Sequence, residues 1–172
     1  MKIKIKNARL SFPSVFRKAV FQGNETKYEA TFLLDKTEQR ETIDEISAGI
    51  AAMLKEHKTK LPPEKICLKD GDASGADENA GMMTIKASSN KRPLVIGKDK
   101  SPLTEEDNVI YSGCYVDAII TLWFQDNGFG KRVNASLEGV QFRADGEPFG
   151  NGGTKSSVSD FDVIDDDDND SF

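Results

Sequence analysis

Residues Tyr115 to Gln125 constrain the fold of this chain more than any other segment. Side chains of an extended strand alternate between its two faces. Here Val116, Ala118, Ile120, Leu122 and Phe124 make one wholly apolar set, which is expected in the core. The opposite set is Tyr115, Asp117, Ile119, Thr121, Trp123 and Gln125. That face is too polar for an interior, yet it carries a tyrosine and the only tryptophan. The segment is a strand with one buried face and one solvated face, and the chain must supply a sheet to receive it.

Short strands elsewhere supply that sheet. Lys2–Lys6 alternates lysine and isoleucine, so the two types lie on opposite faces. Tyr28–Leu34 is rich in aromatic and β-branched residues and follows a Gly23-Asn24 turn. Further strands are expected at Lys65–Lys69, Met82–Ala87, Pro93–Gly97, Tyr111–Gln125 and Val133–Arg143. One amphipathic helix is predicted over about residues 37–58, where Ile43, Ile46, Ile50, Met53 and Leu54 recur at helical spacing. Pro62-Pro63 stops it. Strands interrupted by one helix suit a mainly β fold, an OB-fold-like small barrel with the helix covering an opening. Phe12, which precedes a proline, is expected in the core, and Phe16 fits either the core or a stacking role. Residues 70–81 and 98–108 read as polar loops. After Phe149 the sequence GNGGTKSS has linker composition. The domain is therefore expected to span 1–150, with 151–172 a disordered linker and acidic tail.

Charge is distributed unevenly. The formal net charge is −6, from 23 basic and 29 acidic residues. Residues 160–172, DFDVIDDDDNDSF, hold seven of the aspartates and no basic residue, which leaves residues 1–159 near neutral. Such asymmetry points to a nucleic-acid partner or an interaction tail. The longest apolar run, Ala48–Leu54, is far too short to span a membrane, and MKIKIK lacks a signal-peptide centre. Cys67 and Cys114 are too few for a disulfide framework, so a reducing cytoplasm is expected.

Aromatics on a solvated strand face are what a binder of single-stranded nucleic acid needs, because every base offers a π-face for stacking. Tyr115 and Trp123 fill that role here, with Phe16 a further candidate. Lys131 and Arg132 follow the Asn127-Gly128 turn, and Arg9, Lys86, Lys91, Arg92, Lys98 and Lys100 add cations on other strands and loops. Clustered together, they would make a positive groove on a neutral body. Exposed strand aromatics also form cross-strand pairs, and strand lysines discourage edge pairing. The tail adds a second pattern: Asp165, Asp166, Asp167, Asp168 and Asp170 precede a terminal Phe172. An apolar pocket with a basic rim would capture such an end. The same tail could occupy the chain's own groove until a polyphosphate displaces it.

Other chemistry finds little support. Asp70-Gly71-Asp72-Ala73-Ser74-Gly75 begins like a calcium loop, but position twelve is Gly81 where a bidentate glutamate is required. A metal-dependent nuclease on Asp70, Asp72, Asp77 and Glu78 would lack a companion base or nucleophile. Cys67, Cys114 and His57 cannot complete a zinc site, so the thiols are read as buried and inert. Gly128-Phe129-Gly130-Lys131 has neither the glycine spacing nor the hydroxyl residue of a phosphate loop. No cofactor, no metal site and no catalytic residue is expected.

Several blocks carry a resemblance: Ala8–Pro13 with Val15-Phe16, KYEATFLLDK at 27–36, LKDGD at 68–72, YSGCYVDA at 111–118 and LEGVQFRADGEPFG at 137–150. With these the chain resembles the phage-encoded OB-fold single-stranded DNA-binding proteins. The tail is similar to the acidic, aromatic-terminated tails of replication single-strand binders, although Ser171 stands where the bacterial form has proline. The resemblance implies a non-catalytic protein that coats single strands during phage replication, recombination or repair. It would work in the cytoplasm of the infected bacterium and recruit phage or host replication proteins through its tail. The competing expectation is an adaptor or DNA mimic that acts through the tail without binding DNA.

Overall fold

The structure is a computed structural model that describes residues 1–149 together with Ile164. The expected linker and acidic tail, including Asp165–Phe172, lie outside the described residues. The described residues form nine strands: β1 Lys2–Ser14, β2 Val20–Phe21, β3 Asn24–Glu25, β4 Tyr28–Asp35, β5 Leu68–Asp70, β6 Met82–Ser89, β7 Leu94–Ile96, β8 Tyr115–Asn127 and β9 Gly130–Ala144. The main sheet runs β5-β6-β4-β1-β8-β9-β7. A parallel bridge between Ser88 of β6 and Ser136 of β9 joins it into a closed five-stranded barrel, as the OB-like expectation required. β2 and β3 form a separate small hairpin that leads into β4.

The alternation of β8 holds. Val116, Ala118, Ile120 and Leu122 are buried, and cross-strand partners Ile3, Ile5, Leu137 and Val140 share their core. Phe124 is only half-buried, and the ring of His57 stacks on it with centroids 3.8 Å apart. β8 begins at Tyr115 rather than Tyr111, because Tyr111 is used otherwise. Its hydroxyl lies 3.0 Å from Asp145 Oδ1 and 2.9 Å from the Gly146 carbonyl, and it accepts the Gly146 N–H at 3.0 Å. The residue ties the segment after β9 back onto the barrel.

β1 is longer than the Lys2–Lys6 pattern suggests, because two irregularities bend it enough to serve two neighbours. The register shifts between Ile5 and Ala8, where Asn7 takes φ 56°, and again between Ser11 and Ser14, where Phe12 takes φ 45°. Bulges of this kind coil a strand so that a barrel can close. The second one overturns the expectation for Phe12. Its side chain is turned out of the core and is 53 % exposed, and its N–H donates to Ser112 Oγ at 3.0 Å.

The helix α1 spans Arg40–Glu56, starting later than predicted. Asp35 Oδ1 accepts the N–H groups of Thr37 and Glu38, which holds those residues in a turn. Ile43, Ile46 and Ile50 join the barrel core. Gly49 leaves room for Met1 and Leu122 against the helix. Among the described residues no helix is long and apolar enough to cross a membrane.

Candidate nucleic-acid interface

The barrel seam creates the site. From the Ser88–Ser136 bridge, β6 and β9 diverge, and the segment Lys65–Cys67 enters on the β9 side. Ile66 bridges Val133 in parallel, and the Cys67 N–H donates to the Val133 carbonyl at 3.0 Å. A groove is left where the strands part, with Thr31, Thr84, Lys86, Ser88, Lys65, Lys69, Arg132 and Asn134 in its walls. A second depression shares Ser88 and Asn134 with it and adds Trp123, Gln125, Ser136, Lys27 and Lys91. The two make one continuous polar surface.

Alternation explains what faces outward. On β9, Val133, Ala135 and Leu137 are buried, so Arg132, Asn134 and Ser136 point away from the core. On β6, Ile85 and Ala87 are buried while Lys86 is exposed. Trp123 is 40 % exposed, opposite Asn134. Asn134 Nδ2 donates to Gln125 Oε1 at 2.8 Å, which fixes the polar floor beside the indole.

Charge concentrates along this surface. Lys27, Lys65, Lys69, Lys86, Lys91 and Arg132 line it, against the single carboxylate of Glu64. Lys86 pairs with Glu29 at 3.3 Å. Among the described residues, none of the other five cations forms an ion pair. The Arg132 guanidinium leans on the Glu64 carbonyl at 3.4 Å. Such a surface attracts polyanions although the body as a whole is near neutral.

The residues singled out in the sequence separate into groups. Trp123, Lys91, Lys86 and Arg132 meet along the groove. Arg92 lies over the half-buried ring of Phe16, 5.8 Å from its centroid. Lys131 is exposed on the β8–β9 hairpin, across from Asp126. Lys98 lies 5.8 Å from the Phe142 centroid, and Lys100 is exposed with φ 68°. Tyr115 and Arg9 are elsewhere. Tyr115 is eight residues from Trp123 on the same strand, roughly 26 Å away at strand rise. Arg9 donates to the carbonyls of Gly113 (3.1 Å) and Glu147, and its guanidinium sits 4.2 Å from the Phe149 centroid. Both side chains clasp residues 145–149 against the barrel.

Lys27, Lys65, Lys69, Asn134 and Ser136 were not singled out. A signal for four of them exists: Lys65-Ile66-Cys67-Leu68-Lys69 and Arg132-Val133-Asn134-Ala135-Ser136 both alternate, placing their polar members on one face. Cys67, read as buried, is half-buried and lines the groove, while Cys114 is fully buried. At the aborted calcium loop, the Lys36 ammonium sits between Asp70 Oδ1 (2.7 Å) and Asp72 Oδ2 (2.6 Å).

Comparison with known proteins adds three findings. Over residues 1–172 the chain matches the family described as Enterobacter phage Enc34, ssDNA-binding protein. A protein designated p50, from Acyrthosiphon pisum secondary endosymbiont phage 1, is 43 % identical across 95 % of this chain and 94 % of its own length. Among solved structures, the single-stranded DNA-binding protein of bacteriophage Enc34 in complex with ssDNA superposes with a TM-score of 0.79. It is 35 % identical, covering 87 % of this chain and 89 % of that one. The single-stranded DNA-binding protein gp2.5 of bacteriophage T7 shares the fold alone, with a TM-score of 0.54 and 14 % identity over 87 % of this chain and 95 % of its own.

Proposed function

The chain belongs to the phage Enc34 family of single-stranded DNA-binding proteins, and on that footing we propose that it binds single-stranded DNA along the seam groove without reading its sequence. The carrying observation is the line of six cations beside a partly exposed tryptophan. Phosphates meet Lys27, Lys65, Lys69, Lys86, Lys91 and Arg132, and Trp123 stacks on a base. Hydroxyls and amides from Ser88, Ser136, Gln125 and Asn134 face the strand between them. Lys131 and Arg92 widen the positive border. Phe16 offers a further ring, whereas Tyr115 and Arg9 act through the clasp.

The protein's role is to coat and protect single strands in phage replication, recombination or repair, without catalysis, in the cytoplasm of the infected bacterium. Asp165, Asp166, Asp167, Asp168, Asp170 and Phe172 form a tail that recruits replication proteins and competes with DNA for the basic groove. The domain proper ends near residue 150, and the remainder serves as linker and tail.

Titration with oligo-dT should quench Trp123 fluorescence, and rising salt should weaken binding steeply as counterions are released. Trp123→Ala should cost roughly 1–3 kcal/mol of binding, the worth of one stacked base. Removing residues 160–172 should tighten binding, because an internal competitor is lost. Absence of binding at low salt, both before and after that deletion, would instead favour the adaptor reading.

A further inference from the structure

A side-chain amide has two ends of opposite character: its oxygen only accepts hydrogen bonds and its nitrogen only donates them. Which end meets the groove is therefore decided by what holds the other. Asn127, Gln125 and Asn134 form a chain of amides that runs from the β8–β9 turn into the groove. Its first member is set by the backbone. The Phe129 N–H can only donate, and it donates to Asn127 Oδ1 at 2.9 Å, a local turn that asparagine favours. The same oxygen accepts Gln125 Nε2 at 3.2 Å. Gln125 thus turns Oε1 to its other neighbour, and that oxygen accepts Asn134 Nδ2 at 2.8 Å. Asn134 is left with Oδ1 turned from Gln125, and among the described residues no group donates to it.

The free oxygen lies where a base would be read. Trp123 and Asn134 are directly opposite on β8 and β9 and line the same depression. Side chains so paired stand roughly 5 Å apart at Cβ. A base stacked on the indole therefore brings its edge within reach of the Asn134 amide. That edge differs between bases. Cytosine and adenine carry an exocyclic amino group, a donor, where thymine carries O4, an acceptor.

We propose that Asn127 is a positioning residue for DNA binding. Through Gln125 it holds the Asn134 carbonyl towards the base on Trp123, and so favours cytosine or adenine over thymine at that one position. The proposal rests on the single-strand reading above. It leaves the general tolerance of sequence in place, because one net hydrogen bond is small beside the charge and stacking that hold a strand. Asn127 needs no contact with DNA for this, since its oxygen already has two donors.

The test compares affinities for oligo-dC and oligo-dT, read by Trp123 quenching at fixed salt, in the wild type, Asn134→Ala, Asn127→Ala and Asn127→Asp. In Asn134→Ala the dC-to-dT ratio should fall about fivefold, the worth of one net hydrogen bond, because oligo-dC binds more weakly. In Asn127→Ala the ratio should fall as far for the opposite reason. The freed Asn134 amide can turn its nitrogen to thymine O4, so oligo-dT binds more tightly. Asn127→Asp keeps the acceptor for both donors. Its added charge should weaken both oligonucleotides alike and leave the ratio at the wild-type value. The bond from the Phe129 N–H lies at the surface, so water replaces it in Asn127→Ala and thermal unfolding should be little changed. A wild type that binds neither oligonucleotide overturns the single-strand reading. A wild type that binds, with Asn127→Ala weakening both oligonucleotides alike, makes Asn127 a mere support of its turn and overturns the relay alone. An unchanged ratio in Asn134→Ala overturns it as well.

Discussion

Trp123 and Tyr115 share one face of one strand but have different surroundings. The indole stands at the groove edge, among Asn134, Gln125 and Lys91. The tyrosine ring lies 5.8 Å from the Arg9 guanidinium and packs where Gly146 leaves space for it. Alternation placed both on the outer face and could not separate them, because what distinguishes them comes from residues 145–149, distant in sequence. Cys67 shows a similar limit. It is half-buried beneath the groove, and burial pushes its thiol up to about 11. At pH 8 its thiolate population is on the order of 100-fold below that of a free cysteine. Labelling with an aromatic disulfide reagent should be correspondingly slow at pH 8 and accelerate with each unit of pH towards 11. Labelling at the rate of a free thiol would contradict the burial.

Elements were legible where one face is buried along a strand or helix. The isoleucines of β1, Val116, Ala118, Ile120 and Leu122 of β8, and Ile43, Ile46 and Ile50 of α1 are buried in the core, while Phe124, Met53 and Leu54 pack half-buried against it. The exceptions are local. Phe12 left the core because a bulge reversed its direction, and a bulge has no period to detect. The first turn predicted for α1 was lost to the Asp35 side chain. β2 and β3, of two residues each, are too short to show alternation. The loop at 70–81 is held by charge. Lys36 hydrogen-bonds to Asp70 and Asp72 and holds both carboxyls below their ordinary range, and Asp72 also accepts the Gly81 N–H at 2.9 Å. The same bonds push the Lys36 ammonium up. Depressed carboxyls contribute stability that is complete above their unfolded values near pH 4 and is lost as pH falls through the lower folded values. The raised lysine contributes below its unfolded value near 10.5 and loses that contribution as pH rises through the higher folded one. The Gly81 amide resonance should therefore hold steady across neutral pH and titrate only below pH 4. In Lys36→Met, its midpoint should move up towards that of an ordinary carboxyl.

At the scale of the whole molecule, the net charge of −6 hides a local field. A body of balanced charge gathers six cations along one seam, and the acidity belongs mainly to residues 160–172. Sequence position separates those six across the residue before β4, the 65–69 segment, β6, the 89–92 turn and β9, so only barrel closure shows that they adjoin. The groove itself exists because β6 and β9 pair at one bridge and then part, a three-dimensional fact with no counterpart in any single segment. The most direct measurement is the salt dependence of oligo-dT affinity, compared between the wild type and a triple variant, Lys69→Gln with Lys86→Gln and Arg132→Gln. Each phosphate contact removed should flatten the slope of log K against log salt by about 0.7, so the variant should lose roughly 2 units while its bound complex still quenches Trp123. A variant with the wild-type slope and affinity would place the DNA elsewhere and contradict the seam groove as its path.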